Sequence, residues 1–382
     1  MKIAVNTRLL IHNKLDGIGW FTYNTLKIIT QNHPEHTFYF IFDRNYDNEF
    51  IFSENVIPIV VPPPTRHPVL WNIWLKVSVP KALKKINIDF FLSPDGFLPS
   101  KLNIPSVTVI HDINFAHNPK DLPLSTRNFY NKNFPDYAQK TTRIATVSEF
   151  SKRDIVYTYK ISPKKIDVVY NGANIDYKPV DENTKIETKK KYTDGEDYFI
   201  FIGAIHPRKN IKRLIIAFDE FKKNTEFSHK LVIVGPHFFK NSELLKTYES
   251  LDYKEDIIFT GRLNVEDLHK VLASAFAMTF VPYFEGFGIP ILEAMFCDVP
   301  VISANVTSMP EVAEDAALYV NPMNISEIAG AMHKIIIDEE LRNSLIKKGK
   351  LQRQKFSWEK TAEKLWKTIE IAASEKQSLL HP

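Results

Sequence analysis

Cysteine is almost missing from this chain: among 382 residues there is one, Cys297, which excludes an internal disulfide and suits a reducing compartment. Cys297 lies in an apolar run, so it reads as a buried structural thiol rather than a nucleophile. No run approaches the roughly 18 apolar residues of a membrane span. The opening MKIAVNTRLL meets Arg8 too early for a secretory signal, and the expectation is a cytosolic protein. An excess of one charge is lacking too. Lys and Arg number 49 against 45 Asp and Glu, a net charge of +4, too mild to indicate nucleic acid as a partner. Internal repeats and low-complexity tracts are absent.

Glycine is scarce, 12 in all, and its placement is informative. Short apolar runs bounded by polar turns read as strands at 2–7, 38–42, 57–61, 88–92, 107–110, 144–147 and 165–170, and again at 198–202, 230–234, 256–259, 277–281, 299–302 and 317–320. Gly17, Gly19, Gly203, Gly235, Gly261, Gly286 and Gly288 follow such runs, where a doubly wound parallel sheet binds its ligands. Amphipathic patterns lie between the runs, so the fold class is α/β. The length exceeds what one core usually supports. Polar, weakly periodic residues 177–197 separate two series of strands, which sets the expected domains at 1–172 and 173–355, followed by a last helical segment, 356–382. Residues 325–350 read as one charged helix, and Ser148 as the N-cap of a helix from Glu149 to Tyr159.

Four stretches carry candidate chemistry. In Pro282–Pro300, PYFEGFGIPILEAMFCDVP, the pair Gly286 and Gly288 precedes a helix start, which leaves N–H groups and a positive helix end for a phosphate. Glu285 and Glu293 flank that site, an arrangement that favours a phosphate bearing hydroxyls, as a nucleotide or sugar does. Alone, Glu293 could equally complement the helix dipole and Glu285 a solvated loop. Arg208 and Lys209 stand ahead of a helix that Asn210 can cap, and two cations there call for a compensating anion such as a diphosphate. Asp16-Gly17-Ile18-Gly19 forms a second glycine loop after a strand, and His111-Asp112 ends another strand at a ligand-binding position. Trp71 and Trp74, followed by Lys76, Lys81, Lys84 and Lys85, could meet an anionic membrane surface. Trp71, Trp74, Leu75 and Ser78 share a helix face, however, which favours packing.

Glu285, Gly286, Phe287, Gly288 and Glu293 resemble the E-x7-E signature of retaining glycosyltransferases of the GT-B fold, family 4. HDIN, ATVSEFSKRDI and PVISANVTSMPEVAEDAALYVNP resemble its bacterial polysaccharide and O-antigen mannosyltransferase-like branch. The resemblance implies two Rossmann-like domains facing each other across a cleft, with the final helix crossing back to the N-terminal domain. It implies a hexose, with mannose from GDP-mannose as the leading reading, moved from a nucleotide-sugar donor to a glycan or lipid-linked saccharide acceptor. It further implies donor binding by Gly17, Gly19, Arg208, Lys209, Arg262, Leu263, Gly286, Phe287, Gly288, Ile289 and Glu293, with Glu293 on the ribose hydroxyls. Glu285 and His111 would orient the sugar, and Asp112 is the fallback base. The chain has no Asp-x-Asp triplet to hold a metal, so the expectation is transfer without metal or other cofactor, the cations and helix end stabilising the leaving diphosphate. Such an enzyme would work in the cytoplasm, also peripherally at the inner face of the membrane. Two rivals remain. An oxidoreductase would need Gly-x-Gly-x-x-Gly, and neither glycine pair has the third glycine; a non-catalytic nucleotide-sugar-binding protein would leave the clustered charges without a task.

Overall fold

The computed structural model describes residues 1–174, 176–236 and 242–380, and the chain divides into two compact units: Met1–Gly172 with Ser357–Pro382, and Ala173–Phe356. In the first, strands β1 (Lys2–Asn6), β2 (Thr37–Phe42), β3 (Val56–Val60), β4 (Phe90–Ser93), β5 (Ser106–Val109), β6 (Arg143–Thr146) and β7 (Ile166–Val168) form one parallel sheet in the order β3-β2-β1-β4-β5-β6-β7. In the second, β8 (Tyr198–Ile202), β9 (Lys230–Val234), β10 (Ile257–Gly261), β11 (Ala277–Phe280), β12 (Val301–Ala304) and β13 (Ala317–Val320) form a parallel sheet ordered β10-β9-β8-β11-β12-β13. Both orders reverse beside the first strand of the unit, between β1 and β4 and between β8 and β11. Each unit is thus a doubly wound, Rossmann-like domain with a switch point at the strand C-termini.

The strands read as continuous apolar runs because helices cover both faces of a parallel sheet; β4, β5, β8, β11 and β12 are buried along their whole length. The helices depart more from the sequence reading. Residues 325–350 are two helices, Ile325–Ile337 and Glu339–Gln352, because Asp338 leaves helical geometry and caps the second by accepting from Leu341 N at 2.8 Å. The polar stretch 177–197 contains the helix Glu182–Thr193, started by Asp181 accepting from Thr184 N at 2.8 Å. Gly17 and Gly19 are not in a loop: they form the first turn of the helix Gly17–Asn32, whose cap Asp16 accepts from Gly19 N. Ser148 caps Glu149–Tyr159 by accepting from Ser151 N at 3.0 Å, as its position indicated.

The final helix, Trp358–Leu380, belongs to the first unit and packs on Gly17–Asn32. Trp366 stacks on His33 at 3.7 Å between ring centres, Thr361 donates to Tyr170 O at 2.6 Å, and Arg143 pairs with Glu375 at 2.7 Å. Gly172 must lack a side chain, since a Cβ there would sit 2.4 Å from Trp358 N. Among the described residues no helix is long and apolar enough to cross a membrane.

Candidate active site

In the second unit the predicted loop residues follow the C-termini of strands of one sheet. Arg208 and Lys209 lie on the turn Pro207–Lys209 after β8, Arg262 and Leu263 follow β10, and Glu285 to Ile289 follow β11. The switch point between β8 and β11 therefore brings Arg208, Lys209 and Glu285 together. Arg208 pairs with Glu285 at 2.8 Å and donates to Phe284 O at 3.2 Å, while Lys209 Nζ closes on the other carboxylate oxygen. Glu285 is 6% exposed. Burial alone would push its carboxyl up, but the two cations and their hydrogen bonds outweigh burial and hold it below the usual range. The anion that compensates this basic turn is thus a side chain of the same unit.

The turn is fixed by Asn210, though not by helix capping. Asn210 stands in the left-handed region at φ 62° and makes no side-chain cap; its amide donates to Val281 O at 3.0 Å and Pro322 O at 2.6 Å, and its carbonyl accepts from Arg213. It thereby ties the loop after β8 to the ends of β11 and β13. No periodicity reports such a link; an Asn next to two cations was its only trace.

Gly286, Phe287 and Gly288 are buried and lead into the helix Ile289–Phe296, with Gly288 at φ 101°. Ser308 holds the turn by donating to Glu285 O at 2.9 Å and Phe287 O at 3.1 Å, and Phe287 packs edge-on against Phe356. Glu293, half-buried on that helix, accepts from the Tyr177 hydroxyl. Burial raises its carboxyl to about 7, only partly offset by Tyr177. Burial and the Glu293 charge in turn push the Tyr177 hydroxyl up. Three further glycines line the strand ends: Gly203 N donates to Val234 O, Gly235 N donates to Gly261 O, and a Cβ on Gly235 would fall 1.9 Å from Gly203 O. Arg262 is exposed and Leu263 half-buried.

In the first unit, His111 follows β5. Its Nε2 lies 2.8 Å from Pro94 O, its ring meets Phe21 edge-on, and burial lowers its pKa against the pull of Asp112, Asp95 and Asp16. Asp112 accepts from Asn114 N at 3.0 Å. The switch point between β1 and β4 holds a pair that the sequence did not reveal. Arg8 and Asp95, both buried, pair at 2.5 Å, and Asn6 donates to the same carboxylate at 2.7 Å. The Arg8 guanidinium sits 4.0 Å above the Phe97 ring. Its partners are 87 residues apart, so only the fold joins them. His12, Asp47 and Glu49 form a surface cluster of potential ligating atoms in this unit, apart from the residues singled out by sequence.

Two doubly wound domains with charged side chains gathered at their switch points define the class, the GT-B fold. Residues 16–177 match the family described as Glycosyltransferase Family 4, and residues 182–352 match Glycosyl transferases group 1. O-antigen chain mannosyltransferase B of Escherichia coli is 30% identical over 279 residues, 73% of each chain. Among solved structures, WaaG, a glycosyltransferase involved in lipopolysaccharide biosynthesis, is similar at TM-score 0.76 and 15% identity over 96% of this chain and 99% of that one. Anabaena HepE in complex with UDP and glucose is similar at TM-score 0.75 and 17% identity, over 97% and 99%. At these identities the structural likeness is one of fold. The chain belongs to family 4 of the glycosyltransferases and is an enzyme of that class.

Proposed function

We propose that this enzyme transfers a hexose, mannose from GDP-mannose, to a glycan or lipid-linked saccharide acceptor in surface polysaccharide assembly, with retention of configuration and without a metal. The observation that carries the reading is the buried Glu285 held between Arg208 and Lys209 at the switch point of the second unit. A diphosphate arriving there would draw on the same two cations, which stabilise the charge that grows on it as the sugar departs. Glu285 then orients the sugar, and Glu293, which takes up charge near pH 7, accepts from ribose hydroxyls in place of Tyr177. Gly286, Phe287, Gly288 and Ile289 would hold the diphosphate on backbone N–H groups, with Gly17, Gly19, Arg262 and Leu263 completing the donor site.

The leaving phosphate oxygen helps deprotonate the acceptor hydroxyl as the new bond forms on the same face. His111, kept neutral by burial, orients the sugar, and Asp112 is the alternative base. The choice of mannose is supported by the mannosyltransferase relative. GDP release from GDP-mannose, followed with UDP- and dTDP-sugars in parallel, tests the donor. Turnover should favour GDP-mannose and persist in EDTA; release from another donor would redirect the sugar assignment, and abolition by EDTA would end the metal-free account.

A further inference from the structure

The transfer as described gives the buried pair Arg8 and Asp95 no task. A buried ion pair adds little net stability over apolar side chains of similar size, so stability alone does not account for it. Asp95 gathers four donors on one carboxylate: Asn6 Nδ2 at 2.7 Å, Ser93 Oγ at 3.0 Å, Phe97 N at 3.2 Å and Arg8 Nε at 2.5 Å. Asn6 also donates to Ser93 Oγ at 3.2 Å. The Phe97 ring beneath the Arg8 guanidinium is packed in turn on Trp71, with ring centres 5.6 Å apart. The turn after β4 is thus clamped both by its own backbone and by the end of β1. Gly96, at φ 82°, closes that turn where a Cβ would meet the Phe134 ring at 2.9 Å.

Pro94 stands between the clamped Ser93 and Asp95, and its carbonyl faces His111. A carbonyl only accepts, so the 2.8 Å contact requires a proton on His111 Nε2. Burial keeps the ring neutral, so Nδ1 carries none. The opposite tautomer would set the Nε2 lone pair against the Pro94 oxygen. Phe21 lies edge-on against the ring with centres 4.9 Å apart, and Ser151 Oγ donates to the His111 carbonyl at 3.1 Å, so the residue is held at its backbone and its face as well. Among the described residues Nδ1 has no hydrogen-bond partner. We propose that Arg8 and Asp95 are positioning residues: by fixing the Pro94 carbonyl they hold His111 in the Nε2–H tautomer, which leaves Nδ1 to accept from a hydroxyl of the transferred sugar. The proposal rests on the reading of His111 as a residue that orients the sugar, and adds which atom does so and what sets it.

The test is nitrogen NMR of the full chain isotopically labelled at histidine, with the His111 ring signals identified by their loss in His111→Gln. In the ligand-free parent at neutral pH, Nε2 should be protonated and Nδ1 bare. Arg8→Gln with Asp95→Asn removes both buried charges together and strands neither. It should mix the two tautomers and lower kcat for GDP release from GDP-mannose by about tenfold to hundredfold, with GDP affinity within about twofold of the parent. Asn6→Ala with Ser93→Ala keeps the ion pair, removes two of the four donors, and should shift signals and rate in the same direction by less. Arg143→Gln with Asp167→Asn, which deletes an ion pair of 2.8 Å elsewhere in the unit, should change neither. A parent His111 protonated on Nδ1, tautomers unchanged in the first variant, an undiminished kcat where they have mixed, or an equal loss in the control pair would each overturn the proposal. The ring signals come from the ligand-free protein, so a parent that shows them as expected but does not turn over GDP-mannose would sink the mannose reading alone.

Discussion

Glu285 and Glu293 are eight residues apart and are shifted in opposite directions from an ordinary carboxyl. Glu285 stays charged because two cations reach it; Glu293 is pushed to about 7 because burial meets only a neutral hydroxyl. The sign for Glu293 follows from comparing states. The unfolded chain loses this proton near the ordinary 4.5, the folded chain near 7, so between those values the native state holds more protons and stability falls as pH rises. Glu293→Gln should therefore stabilise the ligand-free protein by about 1–3 kcal/mol at pH 8 and scarcely at all at pH 4, measured by denaturant titration. The same variant should weaken GDP binding about tenfold, and an unchanged affinity would remove its ribose role. Arg208→Ala with Lys209→Ala leaves Glu285 buried without a cation and should cost about 3–5 kcal/mol. Adding Glu285→Gln should restore much of that stability but not turnover, which separates the structural from the catalytic duty of the pair. These residue types were legible in sequence. Their partners were not: Tyr177 lies far from Glu293 along the chain, and Arg8–Asp95 lacks any local motif.

At the scale of elements, glycines that serve a close approach differ from those that merely occupy a helix. Gly235→Ala would drive a methyl into the Gly203 carbonyl and part the ends of β8 and β9; a loss of about 2–3 kcal/mol is expected. Gly330 lies exposed in Ile325–Ile337, and a methyl added there would meet nothing within 4 Å, so Gly330→Ala should add about 0.5–1 kcal/mol. Thermal melts of the two variants should move in opposite directions. Strands were the most readable elements, because burial on both faces makes each an apolar run. Helices were less so. Glu182–Thr193 buries only Thr188 and Thr193, and Leu124–Lys140 carries Pro135 within it, so neither gives a clean apolar stripe. The pattern through 325–350 continues across Asp338, where only the cap reports the break.

For the whole molecule, the chain passes between its units twice, at Gly172–Ala173 and at Phe356–Ser357, so the second unit is continuous and the first is assembled from two stretches. Ending the chain after Phe356 removes from the first unit the Trp366 stack on His33, the Thr361 bond to Tyr170 and the Glu375 partner of Arg143, while leaving Arg208, Lys209, Glu285 and Glu293 in an uninterrupted unit. Buried Leu365 and Ile369 would leave the same helix interface, each worth about 1.5–3 kcal/mol of burial, more than a marginally stable domain can lose without partial unfolding. The shortened protein should then show an early or missing calorimetric transition for the first unit and a retained one for the second. GDP should raise that second transition by RT ln(1 + [L]/Kd), with a Kd within about threefold of the full chain's. Loss of GDP binding while the second transition persists would mean that the first-unit residues proposed for the donor, Gly17 and Gly19, hold the nucleotide itself and not the sugar alone.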